Sequence, residues 1–367
     1  MSKNVLISGY YGYDNLGDEA ILQALVDSLK EESADISIKV LSARPELTAE
    51  RYQVSSIQRD KLSEIISVLK DTDLFISGGG SLLQDVTSWR SILFYLGQLY
   101  LARMMGVPGI IYAQGIGPVK RGINKKLISH VASRCQLITV RDQESYQLLL
   151  DYGVDRNLIK TTVDPVFLLA EREWSQGARF LKKEGIPLDK PLIGISARPW
   201  KGNKYLPALA RAVEYLIDLT GGRALIVPLN REEDYPVGKG LVELIERDTY
   251  LLEQEYTPLE MLELFAELEF MLGVRLHSLI FAAVHRVPFV ALNYDPKIAA
   301  FVREIGINSQ VDIRTLDEDI LKRVCETIWS RKEEFIRILG IRRDQYYRKA
   351  KRTIREVSGL IGGKSNS

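Results

Sequence analysis

The chain is poor in sulfur and imidazole. Its 367 residues hold two cysteines, Cys135 and Cys325, one in each half, and three histidines. Two distant cysteines exclude a disulfide framework and a multi-cysteine metal site. A charge excess is also missing: 49 Lys and Arg stand against 48 Asp and Glu, for a net charge of +1. That balance argues against a general nucleic-acid binder, which carries a marked basic excess. No apolar run approaches the ~20 residues of a membrane span. Met1-Ser-Lys-Asn-Val-Leu-Ile already reads as a first strand, so no signal peptide is expected and a cytoplasmic location is. The HExxH, CxxC and Walker-lysine patterns are absent, and the carboxylates are scattered, so neither a metal nor a cofactor is expected.

What is present is an alternation of short β-rich runs with helical patterns, the mark of a doubly wound parallel architecture. Strands are expected at Asn4–Ser8, Ile36–Leu41, Asp73–Ser77, Gly109–Gln114 and Leu137–Val140, with helices between them. A looser stretch, Asp164–Lys190, carries Pro165, Gly177, Gly185 and Pro187. The pattern restarts at Leu192–Ser196, Arg223–Val227, Phe270–Leu272 and Phe289–Leu292. The reading is two Rossmann-like domains facing each other across a cleft: an acceptor domain at 1–170, a linker at 171–190 and a donor domain at 191–340. A basic helix and tail follow at 341–367. Arg342, Arg343, Arg348, Lys349, Lys351, Arg352 and Arg355 in that helix suit either an anionic membrane surface or a solvated helix packed back on the first domain.

Ligands of open α/β sheets bind outside the carboxyl ends of the strands. The richest such position is Gly273-Val274-Arg275-Leu276-His277-Ser278, where an apolar run gives way to a helical pattern. It offers a guanidinium, an imidazole and a helix start, an anion site with a proton donor beside it. Arg198 follows the second domain's first strand, Arg141 follows Ile138-Thr139-Val140, and Lys297 starts the helix after Asn293-Tyr294-Asp295. Arg141 could equally be held in a structural pair by Asp142 or Asp164. In the first domain, Asn15 and Asp18 within Gly9–Ala20 suit hydroxyl binding or base action on a neutral polyol. An acidic helix start there would repel a diphosphate. Gly78-Gly79-Gly80 exposes backbone after a strand, with Gln84 and Asp85 as polar contacts beyond it, and Gln114–Pro118 forms a third edge loop.

Taken in order, Gly12-x-x-Asn15-x-Gly17-Asp18-Glu19, Gly78–Asp85, Val140-Arg141-Asp142-x-x-Ser145, Gly273–Ser278 and Tyr294-Asp295-Pro296-Lys297 resemble the polysaccharide pyruvyl transferases. The likeness runs from about residue 4 to residue 305 and is greatest to the CsaB type, which acts on bacterial secondary cell-wall polymers. It implies a GT-B-like fold and transfer of pyruvate from phosphoenolpyruvate to a sugar as a cyclic ketal. The implied acceptor is N-acetylmannosamine on a lipid-diphosphate-linked precursor, with peripheral contact at the inner membrane face as a corollary. The resemblance places Arg275 and His277 at phosphoenolpyruvate.

Those residues suit that chemistry. Phosphoenolpyruvate carries a carboxylate and a phosphate, so it calls for guanidinium forks and a helix N-terminus. Ser278, Arg198, Arg141 and Lys297 are the further donor candidates. Protonation of its methylene carbon needs a general acid, for which His277 is the candidate, while Asn15, Asp18, Gly79, Gly80, Gln84 and Asp85 would receive the neutral sugar. Two other readings stay open at this level. One is a GT-B glycosyltransferase with a nucleotide-sugar donor, using Glu304 or Asp295 on the ribose. The other is a non-catalytic anion-binding regulator.

Overall fold

The computed structural model describes residues 3–85 and 89–361, the Trp89 side chain excepted. Two compact units divide it: residues 1–169 with 346–367, and residues 170–345. The boundary falls between Leu169 and Ala170, so the stretch read as a linker belongs to the second unit. Part of it is a short helix, Gly177–Lys183. A Cβ on Gly177 would lie 2.2 Å from the carbonyl oxygen of Glu263, so glycine there lets this helix seat closely against helix Pro258–Phe265.

The first unit holds eight parallel strands: β1 (Lys3–Ser8), β2 (Ile36–Ser42), β3 (Ser55–Gln58), β4 (Leu74–Ser77), β5 (Gly80–Leu83), β6 (Gly109–Ile116), β7 (Leu137–Val140) and β8 (Ile159–Thr161). Their order is β3-β2-β1-β4-β6-β7-β8, with β5 paired to β6. The second unit holds β9 (Leu192–Ser196), β10 (Arg223–Ile226), β11 (Thr249–Leu251), β12 (Phe270–Gly273), β13 (Phe289–Asn293) and β14 (Gln310–Asp312), ordered β11-β10-β9-β12-β13-β14. Both are doubly wound sheets whose strand order reverses beside the first strand, between β1 and β4 and between β9 and β12.

Helices cover both faces, so the central strands are buried on both sides and read as unbroken apolar runs. β4, β6, β7, β9 and β12 are buried at every residue. The short strands β3, β8, β11 and β14 are absent from the sequence reading because they are edges. Ser55-Ser56-Ile57-Gln58, for example, is nowhere fully buried and carries no apolar run. β5 escaped notice because it begins at the last of three consecutive glycines without a turn into helix.

The final helix is one element, Lys332–Leu360, with Tyr346 onward in the first unit. In that unit its basic side meets carboxylates. Lys351 Nζ lies 2.7 Å from Glu31, Arg355 Nε 3.4 Å from Glu32, and Lys160 pairs with Glu356. Thr162 and Thr353 share a buried hydroxyl contact at 2.7 Å, and Phe167 meets Tyr346 edge-on at 4.9 Å. Of the two readings of the basic stretch, packing on the first unit is the one observed. No helix among the described residues is long and apolar enough to cross a membrane.

His285 ends helix Leu276–Val284 with its ring 5.2 Å from Trp174 and its Nε2 shut off from water. Burial pushes its pKa down to about 3, and the Arg343 charge adds to the effect. Between about pH 6.5 and 3 the unfolded chain therefore binds a proton that the folded chain refuses, so folding stability falls as pH falls through that window. The loss is on the order of a few kcal/mol. Urea midpoints at pH 7 and pH 4 should differ less in His285→Gln than in the parent; equal differences would show that His285 does not carry this slope.

Candidate active site

In the second unit the topology brings two arginines together. β9 ends at Ser196 and leads to Arg198; β12 ends at Gly273 and leads to Arg275, and Val274 N–H donates to Ser196 O at 2.9 Å. Both side chains therefore rise at the switch point. Arg275 caps helix Leu276–Val284 from an extended backbone. Ser278 is fully buried and donates its hydroxyl to Arg275 O at 2.6 Å. A Cβ on Gly273 would lie 2.4 Å from that hydroxyl, so Gly273 and Ser278 shape the turn that aims Arg275.

The guanidinium of Arg275 is not bare. Its Nε and Nη2 donate to the two oxygens of Asp234 at 2.6 and 2.5 Å, and Nη2 also reaches Glu233 at 2.6 Å. Asp234 is buried and accepts the backbone N–H groups of Leu229 and Asn230 at 3.1 and 2.9 Å. Burial pushes its carboxyl up, against the pull of Arg275 and those N–H groups. Glu233, half-exposed, also lies 3.7 Å from Arg198 Nη2 and so sits between the two guanidiniums. Arg198 donates to the Tyr294 hydroxyl at 2.6 Å and stands 5.1 Å over that ring. Its backbone is pinned by the Tyr205 hydroxyl, which accepts from Arg198 N at 3.1 Å and donates to Arg198 O at 2.8 Å.

The second unit's cations stand among two carboxylates that the sequence reading passed over. Glu233 and Asp234 lie in the first turn of helix Arg231–Leu244, where acidic residues suit the macrodipole and draw no notice. Only their following β10, the neighbour of β9, marks them as edge residues. His277, in the first turn of helix Leu276–Val284, is half-buried with its ring 6.2 Å from Phe281. Lys297 Nζ is 3.6 Å from Asp295, whose carboxylate also accepts Lys297 N–H at 3.0 Å to start the next helix.

In the first unit, β1 and β4 end beside each other, with Gly78 N–H donating to Ser8 O at 2.7 Å. Tyr11 folds beneath this junction, fully buried, and its hydroxyl has no hydrogen-bond partner among the described residues. A Cβ on Gly9 or Gly78 would lie 2.7 or 2.2 Å from that hydroxyl, which explains both glycines. Gln114 Nε2 holds the loop by donating to Ser77 O and Gly78 O at 3.1 and 2.9 Å. Gly80 has φ +89°, and a Cβ there would lie 2.5 Å from Asp18 Oδ1. Asp18 is thus a buried carboxylate facing the Gly78–Gly80 loop. Glu19 turns the other way, to Gly12 N–H at 2.7 Å and the Tyr52 hydroxyl, with its pKa raised by burial. Asn15 caps helix Leu16–Glu32, accepting Gly17 N–H at 3.2 Å.

Other candidates take structural positions. Asp85 accepts from Lys120 N, Arg121 N and Asn124 Nδ2 at 2.8, 3.0 and 3.0 Å, fixing the start of helix Gly122–Ala132. Desolvation opposes ionisation there, and these donors outweigh it and lower the pKa. Gln84 is half-buried between β5 and Asp85. Arg141 belongs to the first unit, whereas Arg198 and Arg275 belong to the second. It is buried 3.3 Å from Asp164 and 3.8 Å from Asp142, and it donates to Ser81 Oγ at 3.0 Å. The structural pair left open from sequence is the arrangement found. No group of three His, Cys, Asp or Glu among the described residues is placed to hold a metal ion.

Two parallel-sheet α/β units of this kind define a GT-B-like protein, and solved structures bear that out at the level of fold. Anabaena HepE in complex with UDP-glucose superposes with a TM-score of 0.65 at 14% identity, covering 97% of this chain and 98% of that one. UDP-GlcNAc 2-epimerase from Neisseria meningitidis does so with a TM-score of 0.63 at 14% identity, covering 97% and 99%. The sequence is more particular: residues 15–296 match the model of the polysaccharide pyruvyl transferase family, and the chain belongs to that family. The amylovoran biosynthesis protein AmsJ of Erwinia amylovora is 21% identical over 87% of this chain and 91% of its own length.

The Tyr11–Gly78 contact gives a direct check on this edge. Gly78→Ala should cost about 1–3 kcal/mol by overpacking, and adding Tyr11→Phe should recover most of it by removing the crowded oxygen. Chemical denaturation of the two single variants and the double variant measures the coupling. Strictly additive effects would mean that the phenol is not what excludes a side chain at 78.

Proposed function

We propose that this pyruvyl transferase takes its pyruvyl group from phosphoenolpyruvate and places it on a sugar diol as a cyclic ketal, releasing phosphate. The observation that carries the reading is the meeting of Arg198 and Arg275 around Glu233 at the β9/β12 switch point of a family member, with His277 two residues beyond Arg275 in the same helix start. The donor's carboxylate and phosphate are what two guanidiniums and a helix start bind well. His277 protonates the methylene carbon, which becomes the methyl group. The carbon bearing the phosphate turns oxocarbenium-like, one sugar hydroxyl adds to it, phosphate departs, and the second hydroxyl closes the ring. One hydroxyl proton replaces that given by His277 and the other leaves with phosphate, so the balance is complete. Asp18, against the Gly78–Gly80 loop with Asn15 nearby in sequence, is the acceptor-side carboxylate and hydroxyl base.

Asp234 holds Arg275 in orientation, and Glu233 occupies the space between the two guanidiniums. With both carboxylates in place the two arginines are neutralised. A multiply charged donor therefore displaces Glu233, the half-exposed one, while buried Asp234 stays. The motif set further favours the CsaB type, with a lipid-diphosphate-linked, N-acetylmannosamine-containing cell-wall precursor as acceptor and action at the inner face of the membrane. Lys297 is a further cation for the donor.

The test is to incubate the protein with phosphoenolpyruvate and candidate acceptors and measure phosphate release against ketal formed. One phosphate per ketal is expected, and His277→Gln should lower turnover by ~10²–10⁴-fold. Release of UDP from a nucleotide sugar with no use of phosphoenolpyruvate, or a His277→Gln variant as active as the parent, would overturn the reading.

A further inference from the structure

A groove of about 380 Å³ lies in the first unit between helices Leu62–Leu69 and Trp89–Met104. Its volume is in the ~300–1,000 Å³ range of ligand sites. The walls are apolar, made by Leu62, Ile65, Phe94, Leu101 and Met104, and Met104 is 70% exposed at the mouth. Gly97, exposed in the middle of helix Trp89–Met104, also lines it. A Cβ there would meet nothing within 4 Å, so no packing demands glycine, and a mid-helix glycine costs ~0.5–1 kcal/mol relative to Ala. What the missing side chain provides is room in the groove.

One end is charged. Arg59 lines it, half-buried, with its guanidinium 4.5 Å over the Phe94 ring. It donates to Gly9 O at 3.3 Å and to the Tyr95 hydroxyl at 3.1 Å. Among the described residues no carboxylate lies within ion-pair distance of it, and Asp60 stands exposed at the rim. Arg59 thus joins the groove to the Gly9–Glu19 loop that carries Asp18. Gln98 makes the same link, accepting the Ser8 hydroxyl at 2.5 Å and donating to Arg59 O at 3.3 Å.

We propose that this groove holds the hydrocarbon segment next to the head group of a single-chain lipid phosphate, with the phosphate on Arg59 and the attached sugar led toward Asp18. The inference rests on the acceptor half of the proposed function and names the side chains that receive the lipid. A guanidinium with no carboxylate partner among the described residues, at one end of an apolar groove, matches an anionic head with one chain behind it. A neutral sugar alone would leave the trough unused.

The test uses the full chain and n-alkyl phosphates of eight, ten and twelve carbons, kept below their micelle concentrations, with binding read by calorimetry. Affinity should rise by up to about fourfold per methylene, and an alkyl glucoside of equal chain length should bind at least about tenfold more weakly. Gly97→Leu, which puts a side chain into the groove on a helix that favours leucine, should weaken dodecyl phosphate binding at least about tenfold without lowering the thermal midpoint. Met104→Glu at the exposed mouth should weaken it as well, and Arg59→Gln should erase the preference for phosphate over glucoside. Affinity independent of chain length, or unchanged in both Gly97→Leu and Met104→Glu, would overturn the proposal. So would binding to phosphatidylglycerol vesicles, unaffected by Gly97→Leu, with no binding of monomeric alkyl phosphate. Because these readouts need no turnover, failure of pyruvyl transfer on every acceptor would refute the proposed function and leave the groove to be judged on binding.

Discussion

The contact on which the second unit's site depends is the buried pair between Asp234 and Arg275. It is bidentate at 2.6 and 2.5 Å, and Asp234 is further tied to the turn after β10 by two backbone donors. A pair like this is costly to desolvate and is repaid only by good geometry and full hydrogen bonding. Its effect is positional. It clamps the loop after β10 to the loop after β12, so the guanidinium of Arg275 projects at the switch point in one orientation. Arg198, pinned by Tyr205 and Tyr294, is aligned from the other side, and Glu233 lies between them.

The two units share a strand order and differ in what they present at its reversal. The first offers buried carboxylates and backbone: Asp18 against Gly80, Glu19 turned inward, and a glycine loop shaped by the Tyr11 ring. The second offers arginines and an imidazole at a helix start. A neutral diol and a small polyanion suit these two surfaces in turn. This division follows from one topology used twice, because each sheet must expose its loops at the carboxyl edge of its central strands.

Much of this was legible in the sequence because the informative residues are local. Gly273–Ser278 and Gly78–Asp85 each sit within one strand-to-loop junction, and buried central strands announce themselves as apolar runs. What stayed hidden was relational. Glu233 and Asp234 drew no notice until β10 was placed beside β9 and their helix was seen to start at Arg231. Asp85 looked like a sugar ligand, yet it fixes the start of helix Gly122–Ala132. Arg141 looked like a donor ligand, yet it answers to Asp164. Tyr11 carries no sequence signal at all, since its role is the space it fills under two glycines. The short edge strands failed for a simpler reason: half-exposed, they lack an apolar run.

Glu233 offers the most direct measurement of the central claim, that the arginine pair is the donor's anion site and a protein carboxylate holds the place until the donor arrives. Removing one negative charge that lies 2.6 Å from Arg275 Nη2 and 3.7 Å from Arg198 Nη2 is worth roughly 1–4 kcal/mol of attraction for an incoming anion. Titration of Glu233→Gln with phosphoenolpyruvate at fixed ionic strength should show affinity several-fold to tenfold tighter than the parent. Unchanged or weaker binding would contradict the account and move the donor away from Arg198 and Arg275.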